Sequence, residues 1–502
     1  MSDKLNRRQF MTAAGSALAA TQSRVRRAHA QAKQPNILYI MTDQQRYDSL
    51  GYTGLTPCRT PHLDALARNG TRFDNAYSVC ALCSPARTSM LCGLYPHKHG
   101  MIRNCSGNPF HDLRDGFRLI SNELDDAGYN CGYSGKWHCG IKKVPSSYAF
   151  TGMDVPNYGN PYIISEYEAY LQRRGLEKPE RVQYTEIGKE GGAGTLSGPP
   201  EAAASYFIAD YALELMQQYV TERRQSGKPF LMFVSFWGPH LPCVIPEPYA
   251  SMYDPADVTL WPNFRDDLKG KPYVHTQHRL GFGHPLNETE WREYIAKYWG
   301  FCTFIDDQIG RMLKALDDWS IAGETAVMFS SDHGDMSGAH GGFWDKGPLM
   351  YEETYHIPLL VHCPWLENTG GQCERLVSNI DLATTVLDIA GVPPSTQQDG
   401  RSLVPLCEDP NGDWSDQWVS EFNGHRYLYA QRMLRWDRYK FVFNVGGLNE
   451  LYDLANDPYE MENRISDPAL ASVKQECKER MIQWILDSRD TLRRAIPILK
   501  NT

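Results

Sequence analysis

The 502-residue chain contains no uninterrupted apolar run near the ~20 residues that a membrane-spanning helix needs, so no span is expected. It has no basic run and no patch of basic residues interleaved with aromatics, which removes the usual footprint of a nucleic-acid partner. No internal repeat is visible, which argues against a solenoid or a propeller. Zinc-ribbon cysteine pairs are missing as well: the 13 cysteines are scattered, and Cys80–Cys83 is the single formal C-x-x-C. A redox dithiol there would leave Pro85 and Arg87 unexplained. What the chain does have is 42% hydrophobic and 12% aromatic residues, the composition of a well-packed enzyme rather than a disordered chain. At this length one large domain with a smaller companion is expected.

The first thirty residues differ in kind. Asn6-Arg7-Arg8-Gln9-Phe10-Met11 precedes an Ala-rich, mildly apolar run, and Ala28-His29-Ala30 offers a small-residue cleavage site. The twin arginines followed by Phe resemble a Tat export signal, and Arg24, Arg26 and Arg27 near the cut suit that route better than Sec. The expectation is a signal peptide over 1–30, handling by the Tat machinery, and a periplasmic or secreted bacterial protein. Its removal takes away six basic residues and one acidic residue. The net charge then moves from −9 to about −14, a field that repels polyanions at long range. An anionic substrate would therefore need a local cluster of cations and a metal. All 13 cysteines lie in the mature part, where an exported location permits disulfides whose pairing stays open.

Apolar periodicity orders the rest. Strand-like runs at Pro35–Met41, Tyr129–Ser134, Pro229–Phe236, Thr325–Ser330 and Ile357–Val361 alternate with helical patterns at Pro61–Gly70, Leu119–Ala127, Glu201–Arg224 and Glu288–Trp319. Near-continuous apolar strands between helices predict an α/β fold, with a large, mostly parallel sheet sandwiched by helices, over residues 31–400. Residues 141–200 and 242–287 read as insertion loops. Beyond 400 three short strands (427–434, 439–444 and 450–454) and a helix (468–487) predict a small antiparallel α+β subdomain over 401–502. Asp43-Gln44, Lys136 with His138, His240, and Asp332-His333 each follow directly after a strand. Ligands of open α/β sheets bind beyond the carboxyl ends of strands, so these four segments are expected at one edge. Their oxygen-rich donor set, with one imidazole, suits a hard or borderline divalent ion better than tetrahedral zinc.

The remaining element is Cys83-Ser84-Pro85-Ala86-Arg87, closed by Gly93. Pro85 favours a first helical turn, which puts Cys83 at a helix N-terminus with Arg87 one turn on. By these residues alone it is a reactive-cysteine candidate or a buried structural cysteine. C-x-P-x-R before a Gly-closed helix resembles the signature of type I sulfatases. Thr42-Asp43-Gln44-Gln45, Gly135-Lys136-Trp137-His138, Gly238-Pro239-His240-Leu241-Pro242, Ser331-Asp332-His333-Gly334-Asp335, Asp345-Lys346-Gly347-Pro348 and the segment from Glu450 to Pro458 resemble further sulfatase landmarks, in sulfatase order, across nearly the whole mature chain.

That resemblance implies an alkaline-phosphatase-like fold and sulfate-ester hydrolysis. It implies that a formylglycine-generating enzyme converts Cys83 to formylglycine (3-oxoalanine), whose hydrated gem-diol is the nucleophile. It also implies a calcium site on Asp43, Gln44, residue 83, Asp332 and His333. Many sulfatases have two Asp where Asp43-Gln44 stands, so magnesium or manganese also fits. Arg87 would orient the diol, Lys136 and Lys346 would spread developing charge, His240 or Lys346 would protonate the leaving oxygen, and His138 would take the second diol proton. The substrate would be a sulfated small molecule or saccharide. Two alternatives accompany this reading. One is a phosphonate monoester or phosphodiester hydrolase of the same superfamily, against which Lys136-Trp137-His138 speaks. The other is an inactive sulfoglycan-binding homologue in which Cys83 stays unmodified.

Overall fold

The computed structural model describes residues 34–106, 111–187, 191–282, 287–366 and 371–502. The expected signal peptide lies outside the described residues. At the centre is the strand Asn36–Asp43, flanked in parallel by Thr325–Ser331 and Phe230–Pro239. Eight strands form the sheet. Their order is Gln372–Cys373, Thr71–Phe73, Leu359–His362, Thr325–Ser331, Asn36–Asp43, Phe230–Pro239, Asn130–Gly135 and Thr151–Gly152. The sheet is parallel except at Leu359–His362, which runs antiparallel to both neighbours. The α/β expectation holds.

Side chains of a strand alternate between faces, so one strand feeds two cores. Ile37, Tyr39 and Met41 join a cluster with Met90 and Leu91 of the helix Cys83–Cys92, Leu124 of Ile120–Asp126, and Val386 of Asp381–Ala390. Leu38 and Ile40 face the other way, onto Ile208 and Met216 of Ala204–Ser226 and Ile309 and Met312 of Glu288–Asp318. Each fully buried aliphatic side chain contributes about 1.5–3 kcal/mol, and both faces of the sheet are covered.

A four-stranded antiparallel sheet follows, made of Gln417–Phe422, Gln431–Trp436, Tyr439–Asn444 and Glu450–Asp453. Its Val419, Leu434 and Phe441 pack on Met481 and Ile485 of the helix Ala471–Asp487. The other face, with Met433 and Val442, packs on Val79 and Leu82, the residues that lead into Cys83. This sheet therefore buttresses the approach to the cysteine helix.

Several expectations need correction. Residues 141–200 are not only loop: they contain the helix Ser165–Arg174 and the strands Arg181–Ile187 and Gly191–Leu196. Tyr167 and Tyr170 of that helix are buried against Phe207, apolar contacts that a Tyr- and charge-rich composition hides. Residues 242–287 supply the strand Cys243–Pro246, which pairs with Gly191–Leu196, and the helix Tyr273–Phe282. In the C-terminal sheet, Gln417–Phe422 was not foreseen, and the strand expected from 427 begins at Gln431. Among the described residues no helix is long and apolar enough to cross a membrane.

Candidate active site

Cys83 opens the helix Cys83–Cys92, whose first backbone bond runs from Ala86 N to Leu82 O at 3.0 Å. Gly93 ends it in the left-handed conformation (φ 68°), which glycine adopts without Cβ strain. Cys83 is 1% exposed. Its Sγ is 3.3 Å from His333 Nε2, 3.9 Å from Asp43 Oδ1 and 3.9 Å from Lys136 Nζ. Burial and the neighbouring Asp43 carboxylate push its thiol up to about 11, so an unmodified Cys83 is protonated at neutral pH.

The strands deliver the partners from their carboxyl ends. Asp43 ends the central strand and Asp332 follows the next one immediately. Both carboxylates are fully buried and joined by Arg87, 1% exposed. Arg87 donates from Nε to Asp332 Oδ2 (2.9 Å), from one terminal nitrogen to Asp43 Oδ2 (2.6 Å), and from the other to Ser235 Oγ (2.7 Å) and the Lys136 carbonyl (2.9 Å). Lys136 Nζ lies 2.7 Å from the same Asp43 oxygen, over the rings of Tyr158 (4.4 Å) and Trp237 (4.5 Å). Burial opposes ionisation of Asp43, but Lys136, Arg87, His240 and His333 outweigh it and hold the carboxyl well below its usual range.

Gln44 leaves the strand in the left-handed region (φ 66°), which turns its amide into the pocket. Its backbone N–H donates to Asp332 Oδ1 (3.0 Å), its side-chain NH2 donates to Asp335, and its Oε1 accepts from Lys346 Nζ (2.7 Å). Lys346 also meets Asp345 at 2.9 Å and His240 Nε2 at 3.1 Å. Burial, then the Lys346 charge, pushes the His240 imidazole well below its usual value. His138 is fully buried, with Nε2 3.3 Å from Ser106 Oγ and Nδ1 without a hydrogen-bond partner among the described residues. Burial and the adjacent Lys136 and Arg87 keep it neutral.

The sequence-predicted residues thus meet in one pocket, with two differences of detail. Arg87 spends its donors on the carboxylates, Ser235 and a backbone carbonyl, so it acts on position 83 through Asp43 and Asp332. Gln44 engages Lys346 through the oxygen expected to face a cation, and a second lone pair of that oxygen remains for it. Five residues were not singled out from the sequence. Asp335 and Asp345 sit inside motifs already noted. Ser235 lies at the end of its strand pattern. Ser78 and Asn379 donate to the Asp332 carbonyl (2.6 and 3.2 Å), and neither sequence position carries a signal for that.

The sulfatase family model matches residues 35–392, and the model described as N-sulphoglucosamine sulphohydrolase, C-terminal, matches 338–487. The chain belongs to the sulfatase family. As a sulfatase-family hydrolase it is 30% identical over 472 residues to the uncharacterized sulfatase YidJ of Escherichia coli, covering 92% of this chain and 89% of that protein. It is 25% identical over 512 residues to the N-acetylglucosamine-6-O-sulfatase of Bacteroides thetaiotaomicron, covering 88% of this chain and 85% of that protein. Among solved structures it resembles the phosphonate monoester hydrolase of Agrobacterium radiobacter. The TM-score is 0.76 at 24% identity, with 90% of this chain and 96% of that one covered. That likeness concerns the fold, which is the alkaline-phosphatase-like one.

Family membership implies a metal. Asp43, Cys83, Asp332 and His333 each turn one donor atom into a buried space, all within 4.8 Å of one another. Two carboxylates, one imidazole and the residue-83 side chain fit a hard or borderline divalent ion. His333 Nδ1 lies 2.9 Å from the Gly334 carbonyl, which fixes the ring and leaves Nε2 facing the donor set.

Proposed function

We propose that this protein hydrolyses sulfate esters, on a sulfated carbohydrate, with Cys83 converted to formylglycine. The observation that carries the reading is the convergence of Cys83, Asp43, Asp332 and His333 on one buried point, with Lys136 at 3.9 Å from the same sulfur. A buried thiol pushed up to about 11 is a poor nucleophile, whereas a hydrated aldehyde at this position needs no thiolate. A divalent cation on Asp43, Asp332, His333, residue 83 and the Gln44 oxygen (calcium by family resemblance, with magnesium or manganese also compatible) would polarise the sulfate oxygens.

The chain's own residues account for the rest. Lys136 and Lys346 approach from two sides and spread the charge that develops on the sulfate oxygens. Arg87 fixes Asp43 and Asp332 relative to position 83. Lys346, charged and donating to neutral His240 at 3.1 Å, is the proton donor to the departing alcohol oxygen. His138, neutral and with an unpartnered nitrogen, takes the proton of the second hydroxyl at position 83, so that sulfate leaves by carbon–oxygen cleavage. The carbohydrate assignment draws on the N-acetylglucosamine-6-O-sulfatase relative and on the structured insertions at 141–200 and 242–287. The twin-arginine leader supports export to the periplasm.

The test is production with a formylglycine-generating enzyme and mass analysis of the peptide containing Cys83. Sulfate release from aryl and saccharide sulfates is then compared with turnover of a phosphonate monoester. An aldehyde mass, sulfate release and its loss in Cys83→Ala are expected. An unmodified thiol in a host that modifies a control protein would sink the catalytic reading in favour of a binding homologue. Faster phosphonate than sulfate turnover would transfer the protein to the phosphonate hydrolases.

A further inference from the structure

Two aromatic side chains border Lys136, His138 and His240. Trp237 sits near the end of the strand Phe230–Pro239, and its Nε1 donates to the Gly159 carbonyl at 2.6 Å. That bond holds the neighbouring Tyr158 against it: the two ring centroids are 4.3 Å apart, with planes at 88°. Asn157 N, bonded to the Gly140 carbonyl at 2.9 Å, ties the same turn to the segment that follows His138. The rings form a fixed right-angled corner rather than two independent surface side chains.

The groups of the proposed reaction meet at that corner. Lys136 Nζ is 4.4 Å from the Tyr158 centroid and 4.5 Å from that of Trp237. His138 meets Tyr158 edge-on at 5.2 Å between centroids. The His240 ring lies 5.7 Å from Tyr158 and 5.6 Å from Trp237, with the Tyr158 hydroxyl 3.3 Å from its Nδ1. Exposure separates the two sets: Lys136, His138 and His240 are 0–7% exposed, whereas Tyr158 and Trp237 are half-buried. An alcohol protonated by Lys346 lies beside His240, which Lys346 touches at 3.1 Å, and therefore within reach of both rings. Exposed Ser106, 3.3 Å from His138 Nε2, adds a hydroxyl beside them. Trp237 Nε1 is spent on Gly159, so this residue offers ring surface alone. Lys136 already lies over both rings, which disfavours a cationic alcohol there. A neutral ring with an apolar face and a hydroxyl rim matches what remains.

We propose that Tyr158 and Trp237 determine specificity: they form the leaving-group subsite, which takes the apolar C–H face of the pyranose ring that carries the scissile sulfate. This rests on the sulfatase reading and narrows it, because recognition then depends on a ring next to the ester oxygen and not on a further charge elsewhere in the saccharide. A ring-free alcohol sulfate reaches the same catalytic groups but leaves the aromatic corner in water.

The experiment uses the full, formylglycine-bearing protein, with 4-nitrophenyl sulfate as activity control. It measures kcat/KM for the monosulfates of methyl glucopyranoside and for the primary and secondary monosulfates of glycerol, pairing each pyranoside with a ring-free alcohol of the same class. The best pyranoside is expected to exceed its glycerol partner by at least about tenfold. Because both rings also touch Lys136, the readout in variants is this ratio and not the rate itself. The ratio should fall by at least about fivefold in Tyr158→Leu and in Trp237→Leu, and stay within about twofold in Tyr158→Phe, which keeps the ring and removes the hydroxyl. A purely structural role would slow both substrates alike and leave the ratio unchanged. Melting temperatures check that each variant is folded. If 4-nitrophenyl sulfate is hydrolysed but the parent ratio falls short of tenfold, or the ratio survives both leucine variants, this subsite is overturned while the sulfatase reading stands. A ratio lost as fully in Tyr158→Phe as in Tyr158→Leu would overturn ring packing in favour of recognition by the hydroxyl. If no sulfate ester is hydrolysed, the sulfatase reading falls and the subsite with it.

Discussion

Arg87→Lys separates geometry from charge in this site. The guanidinium satisfies Asp332, Asp43, Ser235 and the Lys136 carbonyl at 2.6–2.9 Å while 1% exposed. A lysine keeps the positive charge, but its single ammonium cannot span two carboxylates and two neutral acceptors. Two charge-assisted bonds lost at ~1.5–3 kcal/mol each come to about 3–6 kcal/mol, and breaking a buried ion pair costs about 3–5 kcal/mol, the cost expected here. Unfolding entropy near 2.1 cal/mol/K per residue gives roughly 1 kcal/mol per degree for the 454 described residues. Differential scanning calorimetry should therefore register a fall of about 3–5 °C, larger in Arg87→Met. Sulfate release should drop on the order of 100-fold in kcat/KM, because both carboxylates shift relative to position 83. A lysine variant that melts within about 1 °C of the parent and keeps activity within about threefold would refute the claim that this side chain ties the two strand ends together.

Other consequences are more local. Dialysis against a chelator is expected to abolish sulfate release and lower the melting temperature, with calcium restoring both; unchanged activity after exhaustive chelation would remove the metal from the reading. Asp306 accepts from His62 N (3.0 Å) and Leu63 N (2.8 Å) and so caps the helix Pro61–Asn69 from outside it. Asp306→Ala should cost about 2–4 kcal/mol by stranding two backbone donors, seen in the melting temperature with kcat/KM retained. Glu352 ties Tyr77 OH (2.7 Å) to Lys440 (3.0 Å) of the C-terminal sheet. Burial disfavours its charge, yet Lys440 and Arg435 hold it down to about 2. Its folded pKa is depressed, so its stability is present above about 4.5 and is lost as pH falls toward 2. The melting gap between parent and Glu352→Gln should accordingly be wide at pH 7 and narrow at pH 3; a gap constant with pH would contradict the ion-pair account.

Much of the site was legible because strands terminate where chemistry begins. Asp43, Lys136, His240 and Asp332 each follow an apolar run, and a parallel sheet aligns such ends without further information. What stayed hidden was of two kinds. Tyr167 and Tyr170 lie in a stretch too polar on average to read as helix, yet pack on Phe207, so tertiary burial overrides composition there. Ser78, Asn379 and Ser235 act through backbone carbonyls and a guanidinium 47 to 254 residues away, contacts that leave no local spacing to detect. Residues 427–430 read as the start of a strand, which in fact begins at Gln431. That Tyr-rich run has β character, and only the left-handed bend at Gly424 and the contact of Tyr427 with His278 divert it.

If position 83 carries a formylglycine diol, as proposed, the charge arrangement bears on why that diol would lose a proton before it reacts. Asp43, Asp332 and Asp345 oppose Arg87, Lys136 and Lys346, while burial holds His138, His240 and His333 in their neutral forms. Among these six ionised groups the charge is thus balanced. A divalent cation held by Asp43, Asp332 and His333, with a monoanionic sulfate ester, would bring one surplus positive charge into a space of low effective dielectric, where such a surplus is costly. Release of one proton from a hydroxyl of formylglycine at position 83 would restore the balance. Removing one member of the set should therefore act on reaction more than on binding. In Lys136→Ala, Asp43 is left with one cation fewer, and the drive to deprotonate position 83 falls with the lost charge. The expected result is a kcat reduced by at least about 100-fold with KM changed by less than about tenfold. A loss confined to KM would mean that Lys136 merely attracts the substrate, and the balance argument would fail with it.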